Sequence, residues 1–279
     1  MGITNLAKLF RFPTVLRFKE GSCVTIGNFD GLHLGHRFII NKVVEKAHQF
    51  SLVPLVVSFY PHPQKVLKHK ELPRPLLSRF EQIKLLKEWR IEVLYLCRFS
   101  KKLYCLTAEQ FLEEVLIQKL NVKHLIMGED SAFGKKREGT PDVVRKLCQQ
   151  KGIAFEEIKL IRKEGGSKYS STRIRSLLLE GKVELVKEEL GRLYTVRGRI
   201  VKGAGRGRNL GFPTANIYTN QLLPKTGIYA CWITFNGEKL KGAVSLGFRP
   251  TYQDTDEPIL EVYIIDKVFQ EELYSAKVN

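Results

Sequence analysis

The residues best suited to chemistry lie between Val24 and His36. An apolar stretch, Val24-Thr25-Ile26, runs into Gly27-Asn28-Phe29-Asp30-Gly31-Leu32-His33-Leu34-Gly35-His36. Phe38, Ile39, Val43, Val44 and Ala47 follow at helical spacing. Gly31 and Gly35 let the backbone approach a ligand closely, and Asn28 and Asp30 can shape the turn or bind polar groups. A helix beginning here directs unsatisfied N–H groups at an anion. His33 and His36, three residues apart, add two imidazoles that could bind a polyphosphate and stabilise charge on a leaving pyrophosphate. No serine or cysteine nucleophile is obvious, and none is required. Phosphoryl and nucleotidyl transfer can run on positioning and electrostatics. A tight turn with incidental surface histidines is the plainer reading of one histidine. Two of them, flanked by this many turn residues, favour phosphate handling.

A second constellation is Tyr169-Ser170-Ser171-Thr172-Arg173-Ile174-Arg175. The hydroxyls and amides of Ser170, Ser171 and Thr172 at a helix start, with two arginines just inside, form another anion site. Alone it would be an ordinary helix cap with solvated arginines. A third lies further on. Gly203-Ala204-Gly205-Arg206-Gly207-Arg208-Asn209-Leu210-Gly211 matches neither the dinucleotide-binding spacing nor the P-loop. Its glycines can still wrap a phosphate with backbone amides. After Phe212-Pro213, Thr214 and Asn216 sit two apart, so on an extended chain they share a face. A hydroxyl and an amide there could bind Mg²⁺ and phosphate oxygens. The alternative is a polar sheet face. On the last clear strand Leu260, Val262 and Ile264 alternate with Glu261 and Tyr263. Strand glutamates are usually solvated, but this one could accept a proton from a hydroxyl attacking ATP.

The elements that must position these groups fall into two sets. Up to about residue 187, apolar strands (22–26, 52–59, 92–98, 124–127, 153–158) alternate with amphipathic helices. Ser78 with Glu81 and Thr107 with Gln110 make capping-box patterns, and Thr140-Pro141 supplies an N-cap and a first-turn proline. This alternation predicts a parallel, doubly wound α/β sheet of Rossmann type. Two short helices, 172–180 and 183–190, close this part. Then 193–201, 227–235, 239–247 and 258–266 read as strands without intervening helices, a small barrel partly or fully closed. The predicted domains are 1–187 and 188–279.

Composition narrows the classes. The 279 residues are 43% hydrophobic and 27% charged, which suits packed domains and not a disordered chain. Apolar runs are short, such as 52–57, where a spanning helix needs about 20 residues. The N-terminal residues lack a signal-peptide layout. The five cysteines (Cys23, Cys97, Cys105, Cys148, Cys231) are scattered without a CxxC pair. That fits a reducing cytoplasm better than disulfides or zinc. The net charge of +17 is spread along the chain, consistent with anionic ligands or a solvated basic surface.

With these residues in view the chain resembles a known family. Residues 27–36 and Ser170-Ser171-Thr172-Arg173-Ile174-Arg175 are similar to the nucleotidyltransferases related to class I aminoacyl-tRNA synthetases. Ser58-Phe59-Tyr60-Pro61-His62-Pro63 and Gly128-Glu129-Asp130-Ser131-Ala132-Phe133-Gly134 narrow that to the adenylyltransferase module of bacterial bifunctional riboflavin kinase/FAD synthetases. Gly211-Phe212-Pro213-Thr214-Ala215-Asn216, Gly227-Ile228-Tyr229-Ala230, Ser245-Leu246-Gly247-Phe248-Arg249-Pro250-Thr251 and Leu260-Glu261-Val262-Tyr263 resemble its kinase domain, in family order.

The resemblance implies an FMN adenylyltransferase domain followed by a six-stranded Greek-key riboflavin kinase barrel. By it, His33 and His36 contact the ATP phosphates, and Arg175 with Ser171 and Thr172 holds the β- and γ-phosphates. Asn28 and Asp130 position nucleotide or flavin phosphate, with Gly27, Phe29, Asp30, Gly35 and Ser170 completing the nucleotide site. Thr214 and Asn216 organise Mg·ATP, Glu261 activates the ribityl hydroxyl, and the loop containing Gly203, Gly205, Gly207 and Gly211 covers ATP. Riboflavin, FMN and FAD are then ligands and ATP the co-substrate. Two departures stand out. Ser131 replaces the usual phenylalanine, and after Asp266-Lys267 and Leu273-Tyr274-Ser275 the family's further strand and C-terminal helix are lacking. The resemblance thus predicts a barrel incomplete at its C-terminus, with an exposed edge or a self-association covering it. It leaves a narrower alternative, an adenylyltransferase whose β domain only binds flavin. From another class, the charge and the histidine turn would also suit a basic nucleic-acid-binding protein on a synthetase-like fold.

Overall fold

A computed structural model of the chain describes residues 8–11, 14–16, 18–63, 66, 74–161, 166, 168–201, 214–247, 258–265 and 277–278. By compactness the chain divides into two units, residues 1–73 with 79–170 and residues 74–78 with 171–279.

The first unit is built on a parallel sheet whose four central strands are largely buried on both faces, which is why they read as apolar runs. Strands β1 (Lys8–Arg11), β2 (Ser22–Ile26), β3 (Val53–Tyr60), β4 (Val93–Arg98), β5 (Val122–Gly128) and β6 (Ala154–Ile158) form one sheet in the order β1-β4-β3-β2-β5-β6. Every pairing in it is parallel. The order reverses between β2 and β5. In doubly wound sheets, ligands bind at such a reversal, outside the carboxyl ends of the strands.

Helices α1 (Leu34–Gln49), α2 (Arg79–Glu88), α3 (Lys101–Cys105), α4 (Ala108–Phe111, widening to a π turn over Leu112–Ile117 and ending at Gln118–Leu120) and α5 (Pro141–Gln150) connect the strands. Helix α1 buries Ile39, Ile40, Val43 and Ala47, one i, i+3, i+4 face. Each large member contributes about 1.5–3 kcal/mol by leaving water. The capping box predicted at Thr107 and Gln110 is present in full. At α5, Pro141 takes the first turn as predicted, but the Thr140 side chain makes no capping bond; its extended backbone alone sets the helix start. The unpredicted β1, Lys-Leu-Phe-Arg and mostly exposed, carries no alternating pattern and is ordered by pairing with β4.

The second unit begins with α6 (Ser171–Leu179) and α7 (Val183–Leu190). These share a small core, Ile174, Leu177, Leu178, Val186 and Leu190, with Leu76, Tyr194 and Leu222. The almost fully buried Gln221 donates to the carbonyls of Leu76 and Thr195 and accepts from the Arg197 N–H. Through these contacts residues 74–78 and 171–187 group with the β strands that follow, although the strand–helix alternation ends only near residue 187.

Strands β7 (Gly198–Val201), β8 (Thr214–Tyr218), β9 (Gly227–Phe235), β10 (Glu238–Gly247), β11 (Ile259–Ile264) and β12 (Lys277–Val278) form an antiparallel sheet in the order β12-β7-β8-β11-β10-β9. Its core holds Ile200, Ile217, Ile233, Phe235, Leu246, Leu260 and Val262. Strand β12 pairs with β7, Lys277 opposite Arg199, and it also approaches β9, so the sheet curls on itself as a barrel does. That pairing covers one edge of β7, where the resemblance predicts an exposed edge without specifying which; the segment 266–276 lies outside the described residues.

Candidate active sites

At the end of β2 the chain makes an irregular turn. Phe29 (φ +49°), Gly31 (+83°) and Leu32 (+44°) are left-handed, a conformation that non-glycine residues adopt only when their surroundings impose it. Phe29, Leu32 and His33 are buried at 3%, 0% and 6% exposure, so the turn is packed and not a surface loop. His33 is the N-cap of α1: its Nδ1 accepts from the His36 N–H at 3.3 Å. An Nδ1 acting as acceptor places the proton of a neutral imidazole on Nε2, leaving that edge a donor. The His33 and His36 rings stack with centroids 3.7 Å apart and planes 16° apart, and Phe29 lies against His36 at 5.1 Å. Gly35 leaves room beside the His33 ring. A Cβ there would lie 3.1 Å from His33 Nδ1 and 3.3 Å from Tyr169 Cβ. The same contact places Tyr169, and Ser170 after it, beside the first turn of α1.

Asn28 Nδ2 lies 3.0 Å from His62 Nε2, which brings the Pro61-His62-Pro63 stretch to the turn. Asp130 follows the end of β5, the strand beside β2 at the sheet reversal. Its carbonyl accepts from Arg137 at 3.1 Å, and its exposed carboxylate is 4.0 Å from Lys168 Nζ. Ser131 continues this turn, its N–H donating to the Gly128 carbonyl. Burial pushes the thiols of Cys23 and Cys97 up to about 12 and that of Cys148 up to about 11. They are inert as thiolates near neutrality, as expected of packing residues. Cys105 is exposed.

Ser171, Thr172 and Arg175 stand on α6 of the second unit. Arg175 donates to the carbonyls of Ser171 and Arg74, at 3.3 and 3.4 Å. Arg173 has a structural partner: its Nε donates to the fully buried Glu189 carboxylate at 2.8 Å. The two arginines of the motif therefore differ, one tied to a buried acid and the other bonded to backbone oxygens.

In the β sheet, register assembles the third group. Asn216 on β8 faces Glu261 on β11, and Glu261 faces Ser245 on β10. Directly paired residues project to the same side, so Asn216, Glu261 and Ser245 form a row. Thr214, opposite Tyr263, is on that face one step along. The intervening Ala215, Ile217, Leu260 and Val262 point into the core. Asn216 is 9% exposed, while Thr214 is open to solvent. Gly203, Gly205, Gly207 and Gly211, with Phe212-Pro213 and residues 248–251, lie outside the described residues.

Comparison with known proteins gives two family matches in tandem, an FAD synthetase model over residues 16–173 and a riboflavin kinase model over residues 190–279. A bifunctional riboflavin kinase/FMN adenylyltransferase of Buchnera aphidicola is 34% identical over 281 aligned positions, covering 100% of this chain and 86% of its own length. Proteins of the same description from Bacillus subtilis and Escherichia coli are each 34% identical, over 92% and 89% of the chain and 82% and 79% of their own lengths. The chain belongs to the bifunctional riboflavin kinase/FMN adenylyltransferase family. A crystal structure described as a macrolide-efflux protein from Streptococcus pneumoniae superposes with a TM-score of 0.85 at 28% identity, covering 97% of this chain and 88% of that one. Among the described residues no helix is long and apolar enough to cross a membrane.

The two matches divide all the candidate residues but Arg175, which lies between them. The FAD synthetase match contains the histidine turn, Asp130 and Ser170–Arg173, ending two residues before Arg175. The riboflavin kinase match contains Thr214, Asn216 and Glu261. Sequence reasoning places Ser245 and Ser58 within motifs but gives neither a role: the place of Ser245 in the polar row follows only from register, and Ser58, with the unremarked Gln82, bonds to the turn's backbone from elsewhere in the first unit.

Proposed function

We propose that the protein converts riboflavin to FAD in two ATP-dependent steps, each on its own site. In the riboflavin kinase module the terminal ribityl hydroxyl attacks the γ-phosphorus of ATP, its proton passes to the Glu261 carboxylate, and ADP leaves. In the FAD synthetase module an FMN phosphate oxygen attacks the α-phosphorus of ATP. The new P–O bond forms as the bond to pyrophosphate breaks, giving FAD.

His33, with Nε2 as donor, and His36 stacked on it bear on the phosphates whose charge rises as pyrophosphate departs. Gly27, Asn28, Phe29, Asp30 and Gly35 shape the nucleotide turn. Asp130 and Ser170 flank it. Arg175 with Ser171 and Thr172 takes the β- and γ-phosphates, and the loop bearing Gly203, Gly205, Gly207 and Gly211 covers the kinase nucleotide. On this reading the functional boundary is at 187/188.

A divalent ion suits the kinase row. Thr214 and Asn216 offer uncharged hard oxygens on the face that carries Glu261, and Mg²⁺ that arrives with a nucleotide takes few ligands from protein. Bound there, Mg²⁺ would neutralise charge on the transferred phosphoryl group. The chain's own part is to hold that nucleotide against Glu261. Such a biosynthetic enzyme works in the cytoplasm, where ATP is abundant and thiols stay reduced.

The observation that carries the reading is the pairing of Asn216 with Glu261 in a chain that also presents a stacked histidine pair at the sheet reversal. The test is to incubate the purified protein with riboflavin, ATP and Mg²⁺ and separate the flavins. FMN appears first and FAD follows with pyrophosphate. FAD from supplied FMN, with none from riboflavin, would leave adenylylation alone; no FAD from FMN and no FMN from riboflavin would overturn both steps.

A further inference from the structure

Two buried side chains outside the histidine motif grip its turn by consecutive carbonyls. Ser58, on β3 and 1% exposed, donates its hydroxyl to the Asn28 carbonyl at 3.1 Å. Gln82, on α2 and 5% exposed, donates Nε2 to the Phe29 carbonyl at 3.2 Å. The Gln82 amide can face only one way. Its Oε1 accepts from the Arg79 guanidinium, which has nothing but donors, so its NH₂ must face Phe29. Arg79 is itself seated over the Tyr60 ring, 5.6 Å from the centroid.

The consequence follows from peptide geometry. In a trans peptide the C=O and N–H point in opposite directions within one plane. With the Asn28 and Phe29 carbonyls held by Ser58 and Gln82, the Phe29 and Asp30 N–H groups are turned away from those two side chains. Successive amides turned to one side make an anion-binding concavity. The left-handed φ of Phe29 (+49°) is the conformation that two such anchors would impose.

We propose that Ser58 and Gln82 are positioning residues for adenylyl transfer, holding the Asn28 and Phe29 carbonyls so that the Phe29 and Asp30 amides face a phosphate of ATP. This rests on the adenylyltransferase reading of the first unit. The riboflavin kinase of the same molecule is the internal control for folding. Ser58→Ala and Gln82→Leu each raise the KM for ATP in FAD formation by about tenfold or more, the scale of one hydrogen bond to a charged group. The KM for FMN and the kinase rate stay at wild-type values. Ser58→Thr keeps the hydroxyl and the wild-type KM; Gln82→Glu, a carboxylate that cannot donate, behaves as Gln82→Leu.

A second readout needs no turnover. In hydrogen exchange followed by mass spectrometry, ATP slows exchange across residues 27–33 of the wild type and Ser58→Thr, and does so far less in Ser58→Ala and Gln82→Leu. Unchanged KM and unchanged ATP protection in Ser58→Ala and Gln82→Leu would overturn the proposal, as would a parallel fall in both activities. A wild type that makes no FAD from FMN would count against the adenylyltransferase reading, while the exchange experiment still decides the role of the two anchors.

Discussion

In the first unit the histidines proposed to meet phosphate ride on a short irregular turn, and in the second the row proposed for the kinase stands on regular strands. The turn from Gly27 to His36 brings its histidines together within four residues, one capping the helix and the other stacked on it. Its shape is then maintained by side chains 30 and 53 residues away in sequence, Ser58 and Gln82. The row in the β sheet reverses that arrangement. Asn216, Glu261 and Ser245 come from three strands, each in ordinary extended conformation, and pairing register alone makes them neighbours. A site on a turn depends on unusual backbone and its anchors. A site on a sheet depends on strand register, where a slip of one residue would send every polar member into the core.

The comparison can be broken by substitutions that should act on one side of it alone. The largest effect is expected from Glu261→Gln, which removes the proton acceptor and leaves the strand intact. Riboflavin phosphorylation falls by about 10²- to 10⁴-fold, while FAD formation from supplied FMN is unchanged; an initial-rate assay with each flavin checks both. Next, His33→Ala lowers FAD formation from FMN by about 10²- to 10³-fold, the scale of losing one electrostatic stabiliser, without slowing the kinase.

Glycine substitutions sharpen the contrast between turn and sheet. Gly35→Ala pushes on the His33 ring and on Tyr169. It should cost adenylylation about tenfold through misplacement of the imidazole, with little change in melting temperature. Gly242→Ala, on β10, would drive its methyl into Ile233 and the Tyr263 carbonyl. It should destabilise the second unit by about 1–3 kcal/mol as an overpacked site does, read as a lower denaturation midpoint.

The smallest effect concerns His124, near the start of β5 and away from the carboxyl-end site. Burial lowers its pKa from the usual 6.5, only partly opposed by Glu156 at 3.9 Å. As pH falls the unfolded chain takes up this proton before the folded one. The stability it contributes is therefore present above pH 6.5 and lost as pH falls through that value toward the lower folded pKa. Between about pH 7 and pH 5.5, the range of histidine titration, the melting temperature should drop more in the wild type than in His124→Gln.

What the sequence disclosed follows the same division. The strands at 22–26, 53–60 and 93–98 and the helix that His33 caps are visible because their periodicity is local. The spacing of His33 and His36 is likewise local, as is the shared face of Thr214 and Asn216. Interactions between distant segments are not visible in this way. Nothing in Lys8–Arg11 announces a strand; pairing with β4 makes it one. The inclusion of residues 74–78 in the second unit depends on Leu76 and Gln221 meeting across the fold. Arg173 and Arg175 look alike in the motif, yet Arg173 pairs with the buried carboxylate of Glu189 and Arg175 bonds to backbone carbonyls. Ser58 opens one of the motifs that carry the resemblance, but its bond to the Asn28 carbonyl, like that of Gln82 to Phe29, is not legible there, because a side chain that bonds to a backbone carbonyl places no demand on the identity of its partner.

The most direct test of two independent sites on one chain is a mixing experiment with Glu261→Gln and His33→Ala. Each variant alone, given riboflavin, ATP and Mg²⁺, should fail to make FAD at the wild-type rate: the first lacks FMN and the second accumulates it. Mixed together they should restore FAD formation, as FMN released by one is adenylylated by the other. A mixture no more active than its parts, or a single substitution that abolishes both reactions, would contradict the account.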